Sequence, residues 1–211
     1  MKISKINRRG GAVASLALVL AVGLSACGSD NGTEKTDAAK DAKADTSMAS
    51  SAGDQTFGPG CKLIPKDGAG SFNGMATAPV ASAASANPLL KTLVTAVGKA
   101  GLVDTLNSAD ALTVFAPTDD AFAKIPADTL NKVLADKATL TKILTHHVIA
   151  GKLSPDELAG THKTLAGDTV TVKGSGEEFT VGNENAQVLC GNIPTANATV
   201  YVVDTVLMPG M

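Results

Sequence analysis

The spacing of apolar side chains changes once along this chain, and that change limits the fold more than any other feature. Upstream the spacing is helical. Leu89, Leu90, Leu93, Val94 and Val97 form a stripe over Pro88–Ala100, opened by Asn87-Pro88 and closed by Gly101. Leu130, Val133 and Leu134 mark a second helix, and Leu140, Ile143, Leu144 and His147 a third. Ser154-Pro155-Asp156-Glu157 has a capping-box arrangement, with Pro at the first helical position. From Thr169 the period is two. Val170 and Val172 alternate with threonine, Gly174-Ser175-Gly176 can turn, and Phe179 and Val181 return as a hairpin. Ala186–Ile193 and Ala198–Leu207 are two more strands. One strand comes earlier, Leu112–Ala116, ended by Pro117 and followed by Thr118 as an N-cap with Asp119 and Asp120 in the first helical turn. Helices first and strands last, without an internal repeat, predict one α+β domain over residues 57–211.

The residues ahead of that domain read as an address and a spacer. Lys2, Lys5, Arg8 and Arg9 precede an apolar run from Gly11 to Leu24, too short and too rich in Gly and Ala for a settled membrane span. The run ends in Leu24-Ser25-Ala26-Cys27, which resembles a bacterial lipobox. The resemblance implies that residues 1–26 are a lipoprotein signal peptide and that Cys27 is acylated on sulfur and becomes the mature N-terminus. An ordinary signal peptide cut after Ala26 is the other reading. Residues 27–56 are rich in Ala, Asp, Lys, Ser and Thr, with Met48 the one large apolar side chain before Phe57. Such a segment buries too little surface to offset chain entropy and is expected to act as a disordered tether. Its coil span is roughly 30 Å, and stretched it approaches about 100 Å.

Three cysteines are an odd number for an exported chain. With lipid on Cys27, Cys61 and Cys190 remain as a pair that oxidises outside the cytoplasm. Free buried thiols or metal ligands are the alternative. A bond closing so long a loop is worth roughly 4–5 kcal/mol at most on the chain-entropy model.

Composition excludes several functions. Aromatic residues make up 3% of the chain, with no Trp and one Tyr, too few for stacking on bases or sugars. A net charge of −2 is a poor counter-ion for phosphates, so no nucleic-acid partner is expected. The chemistry-bearing residues have structural readings. His147 sits at an apolar helix-to-strand junction and is expected to be neutral and bonded to backbone; no general-base partner is apparent. Ser154 is taken as a cap, and no nucleophile-elbow sequence is present. His146, His147 and His162 are poor zinc ligands, since adjacent histidines point apart. Asp119 and Asp120 lack the loop of a calcium site. Asp204, between valines, is expected to bond backbone or a hydroxyl. Asn31-Gly32-Thr33 and Asn197-Ala198-Thr199 match an N-glycosylation pattern weakly, and the tether threonines are candidates for O-linked sugar. No catalytic residue, metal or cofactor is expected.

Two ten-residue segments carry a family resemblance. Thr113-Val114-Phe115-Ala116-Pro117-Thr118-Asp119-Asp120-Ala121-Phe122 resembles the first signature of fasciclin-like (FAS1) domains, and Val200-Tyr201-Val202-Val203-Asp204-Thr205-Val206-Leu207-Met208-Pro209 the second. Leu144-Thr145-His146-His147-Val148-Ile149-Ala150-Gly151 stands where the family has a Tyr-His segment; His146 replaces the Tyr and His147 keeps the His. Pro59-Gly60-Cys61, Asn87-Pro88-Leu89-Leu90 and Thr195-Ala196-Asn197-Ala198-Thr199-Val200 resemble the mycobacterial secreted and lipoprotein members. The resemblance implies a single FAS1 domain, helices packed on a β-sheet wedge. It also implies a Cys61–Cys190 bridge and motif roles for Thr118, Asp119, His147 and Asp204. In animal relatives the Tyr-His neighbourhood is linked to integrin binding, which nominates His146, His147, Val148 and Ile149 as partner-binding candidates.

The functional expectation is a non-catalytic, monomeric surface module for adhesion. It is held to the membrane lipid through acylated Cys27, faces an unidentified protein, matrix or glycan partner across the cell wall, and is open to shedding. The alternative is a carrier in which an apolar groove holds a small hydrophobic or lipid ligand.

Overall fold

The computed structural model describes residues 51–210. After a 3-10 turn at Pro59–Leu63 come four short helices, α1 (Phe72–Ala76), α2 (Val80–Ala86), α3 (Lys91–Ala100) and α4 (Val103–Ser108). Strand β1 (Leu112–Pro117) leads into α5 (Asp119–Ala123), α6 (Ala127–Ala135) and α7 (Lys137–His146), then β2 (Val148–Ala150) and α8 (Pro155–Leu158). The rest is strand: β3 (Gly160–Lys163), β4 (Thr169–Ser175), β5 (Glu178–Val181), β6 (Ala186–Pro194) and β7 (Ala198–Val203).

The seven strands form one sheet in the order β2-β1-β7-β6-β5-β4-β3, with β1 and β7 parallel. Its two ends meet. Ile149 bridges Thr164, and the Leu165 N–H donates to the Val148 carbonyl at 2.8 Å. The sheet therefore folds back on itself into a wedge, leaving little open edge.

β1 and β7 are buried along their whole length because both faces are covered. Alternation sorts their side chains. Leu112, Val114 and Ala116 of β1, with Val200 and Val202 of β7, meet the helices. Phe115, Tyr201 and Val203 point into the wedge, against Phe57, Phe179 and Val181. Thr113 also faces inward and is fully buried. Its hydroxyl donates to the Gly151 carbonyl at 2.7 Å and accepts from the Leu153 N–H at 2.8 Å, while the Tyr201 hydroxyl donates to the Leu153 carbonyl at 3.0 Å. No hydroxyl in that wall is left without a partner, as burial requires.

Cys61 and Cys190 are disulfide-bonded, with Cα atoms 4.8 Å apart and a sequence separation of 129. Beside the bond, Phe57 pairs with Gly191 through backbone. A Cβ on Gly191 would stand 2.3 Å from Phe57 Cζ, so only glycine lets the ring pass.

Several elements depart from the sequence reading. Ser51–Thr56, placed in the tether, form turns against the domain: the Ala52 N–H donates to Asn73 Oδ1 at 2.8 Å, and Asn192 Nδ2 donates to the Gln55 carbonyl at 3.0 Å. The helix expected from Pro88 begins at Lys91, because Asn87–Leu90 make a turn first. The last strand stops at Val203, not Leu207. Residues 204–209 leave the sheet as a strap because the Leu207 N–H is taken by a side chain, His147 Nε2, at 2.9 Å.

Candidate functional site

The sequence nominated one neighbourhood, the α7–β2 junction with the two signature segments on either side. The structure brings these together. Thr118 caps α5, its hydroxyl oxygen accepting from the Ala121 N–H at 3.2 Å, and its own N–H donates to the Val203 carbonyl at 3.1 Å, tying α5 to the end of β7. Asp119 lies in the first turn of α5 as expected, and it reaches further. Its N–H donates to the Leu89 carbonyl, and its Oδ1 accepts from the Thr92 N–H at 2.7 Å. α3 has no cap of its own, so a carboxylate 27 residues downstream supplies one.

His147 occupies the centre. It is almost fully buried. Nδ1 lies 2.8 Å from the Ile143 carbonyl, and Nε2 lies 2.9 Å from the Leu207 N–H. A carbonyl can only accept and a backbone N–H can only donate, so the proton must sit on Nδ1 and Nε2 must be the acceptor. Both ring nitrogens are thus engaged by backbone. Burial pushes the imidazole pKa down to about 4, against the Ile143 bond, which favours the charged form; neighbouring His146 lowers it further.

Asp204 sits where β7 becomes the strap. Its Oδ1 accepts from the Gln187 N–H at 2.7 Å and from the Thr205 hydroxyl at 3.0 Å, and Lys124 Nζ stands 2.9 Å from Oδ2. Burial raises this carboxyl, but the bonds from Lys124, Gln187 and Thr205 outweigh it and hold the pKa below the usual range.

The partner-binding expectation at His146, His147, Val148 and Ile149 does not survive as a surface. All four are buried, none more than 5% exposed. Val148 faces the helical core and Ile149 the wedge core, because successive strand residues point to opposite faces. His146 hydrogen-bonds instead within the fold. Its Nδ1 lies 2.7 Å from Asp168 Oδ1, the oxygen that also accepts from the Thr164 hydroxyl. Burial raises the Asp168 carboxyl, and these two donors outweigh that and leave it below its ordinary value. The order Thr–Asp–His puts the carboxylate between hydroxyl and imidazole, so His146 cannot activate Thr164 as a nucleophile. The chain fastens the β3–β4 connection to the end of α7.

His162, the third histidine, lies on β3 with Nε2 2.9 Å from the Leu158 carbonyl. Among the described residues no cluster of three His, Cys, Asp or Glu side chains could hold a metal ion. Asn197, matched as a glycan acceptor, has another role. Its Nδ2 donates to the carbonyls of Leu106 and Ala109 at 2.8 and 2.9 Å, and its Oδ1 accepts from the Val80 N–H at 2.9 Å, fastening α2 and α4 to the start of β7. That amide has no free face for a sugar. Ser154 completes the expected capping box with Glu157, whose carboxyl the Ser154 hydroxyl and backbone N–H hold below its usual pKa. Asp168, which joins His146 to Thr164, and Glu184, whose Oε1 accepts from the Met208 N–H, carried no sequence signal, because the partners His146 and Met208 lie 22 and 24 residues away. The Asn197 amide was visible only as a glycan match.

An apolar cavity of about 50 Å³ lies between α2, α3, α4 and β1, lined by residues such as Ala81, Leu93, Val97, Val103, Leu106 and Val114. This is the groove the carrier reading calls for. It has about a third of the roughly 150 Å³ that holds a benzene. A lipid chain would require the helices to part.

Cys27, the signal segment and the tether up to residue 50 lie outside the described residues. Within the described residues no helix is long and apolar enough to cross a membrane.

The fasciclin domain family model matches residues 88–209. The chain is 43% identical to the cell surface glycolipoprotein MPB83 of Mycobacterium bovis, across 97% of both chains. It is 49% identical to the immunogenic protein MPT70 of Mycobacterium tuberculosis over 72% of this chain and 81% of that one. A solved FAS1 domain pair from the insect cell adhesion molecule fasciclin I aligns at a TM-score of 0.48 and 23% identity, covering 56% of this chain and 45% of that one. With both signatures and the helix-covered wedge in place, the chain belongs to the fasciclin (FAS1) domain family.

Proposed function

We propose that this protein is a non-catalytic surface module of a bacterial envelope, moored to membrane lipid through acylated Cys27 and presenting a rigid FAS1 domain to a protein, matrix or glycan partner. The similarity to a cell surface glycolipoprotein over nearly the full length of both chains carries this reading, since it includes the lipobox-like segment and the tether as well as the domain. The side chains that chemistry would need support it: among the described residues His147, Asp119 and Asp204 are each committed to backbone groups and form no acid–base pair with one another. Because the Tyr-His neighbourhood is interior, the partner meets other residues of the exterior.

Fractionation of cells expressing Cys27→Ala tests the mooring. The variant is expected in the soluble or secreted fraction with an unchanged circular dichroism spectrum and melt. Retention in the membrane fraction would remove the lipid anchor from the proposal.

A further inference from the structure

The strap of residues 204–209 completes the fold without belonging to the sheet. Val206 and Leu207 are buried on it, yet its backbone is held largely by side chains. His147 Nε2 accepts from Leu207, and Glu184 Oε1 accepts from Met208 at 3.1 Å. Only at its base does a backbone bond continue, from the Asp204 N–H to the Gln187 carbonyl at 3.1 Å.

We propose that His147 is an acid-operated latch: protonation of Nε2 releases the strap and uncovers the apolar floor beneath Val206 and Met208. The geometry dictates the direction. Nδ1 already carries a proton for Ile143, so a second proton can enter only at Nε2. There it would face the Leu207 N–H, turning a hydrogen bond into two opposed donors. No compensating charge is at hand. The ring lines two cavities, one shared with Leu93 and Val97 of α3 and Val114 of β1, the other with Phe122 of α5, Val133 of α6 and Val206 of the strap, and neither is lined by a carboxylate. The titratable neighbour on its own helix is His146, whose ring centroid is 6.5 Å away. Glu184 reaches the strap from the β5–β6 connection but bonds Met208, not the imidazole. A cation at Nε2 is therefore buried among apolar groups until the strap moves.

The sign follows from linkage. The latched imidazole has a pKa near 4, and a freed one has the ordinary 6.5. The closed state is thus fully favoured above about pH 6.5 and loses ground as the pH falls toward 4. Between pH 7 and pH 5 the opening equilibrium shifts by about twenty-fold.

Hydrogen exchange on the full chain, with rates corrected for the intrinsic chemistry at each pH, reads this directly. Protection of Val206–Met208 is expected to fall about twenty-fold from pH 7 to pH 5, while the β4–β5 hairpin keeps its protection. Unchanged strap protection, or an equal fall in every element, would overturn the latch. His146→Gln must leave the transition in place; its disappearance there would move the switch to His146 and refute the assignment. His147→Gln should abolish the pH dependence where it folds. In the unmodified protein, side-chain nitrogen NMR must show an Nδ1-protonated ring titrating well below pH 6; an ordinary titration would refute the proposal independently of any variant.

Discussion

The two ends of the folded domain are fastened to neighbouring strands by opposite kinds of chemistry. At the N-terminal end, Cys61 is bonded covalently to Cys190 of β6, and Phe57 fills the wedge against Phe179 and Tyr201, with ring centroids 5.6 and 6.3 Å away. At the C-terminal end, the strap hangs on lone pairs of His147 and Glu184. The first fastening responds to reductant and ignores protons; the second does the reverse. Under the proposed mooring, any pull from the membrane enters through the segment preceding Ser51. It meets a covalent bond into β6 before it can peel the helices.

The largest expected effect breaks the N-terminal fastening. Reducing the disulfide, or replacing Cys190 with Ser, reopens a loop spanning 129 residues. The loss is about 4–5 kcal/mol at most on the chain-entropy model. For a domain of this size that lowers Tm by about 10 °C. Calorimetry with and without reductant checks it. An unchanged Tm, with the bond shown to be broken, would mean that packing alone holds this end.

Phe57→Ala sharpens the same point at the next magnitude. A buried Phe truncated to Ala costs about 3–5 kcal/mol, and Phe57 at 8% exposure belongs near the lower figure. Made together with Cys190→Ser, the two losses should not add, because Cys61 sits in the 3-10 turn of residues 59–63 that follows Phe57, so both anchors hold the same short segment. Denaturant unfolding of the single and double variants measures the coupling. Strict additivity would show that staple and ring act independently.

The sequence made the long elements legible because their information is local. The stripe of α3, the Thr118 cap, the Ser154 capping box and the β4–β5 hairpin each announce themselves within a few residues. α2 did not, since Val-Ala-Ser-Ala-Ala-Ser-Ala has little amphipathic contrast, and its position depends on Asn197, which is 117 residues away from Val80. β2 and β3 are three and four residues long, too short to show a period. His147 was readable as a core histidine from its apolar setting. Its second bond, to Leu207, was not, because the strap imitates a strand until the fold is known. The partner-binding candidates went astray for a related reason: sequence position within a known motif says nothing about which way a buried strand turns its side chains.

The smallest expected effect tests whether charge contributes at the base of the strap. The Lys124–Asp204 pair looks like a clamp at 2.9 Å, but the lysine side chain is 53% exposed. Pairs in that setting contribute about 0.2–1 kcal/mol, diminished by salt. Asp204 keeps its bonds to the Gln187 N–H and the Thr205 hydroxyl whether or not the lysine is present. Lys124→Ala should therefore cost about 0.5 kcal/mol or less in low salt and almost nothing at high ionic strength, as denaturant melts at the two salt levels would show. A loss of 2 kcal/mol or more would mean that the C-terminal end is gripped by an ion pair as firmly as by its backbone acceptors, and that its difference from the stapled end is smaller than the buried geometry implies.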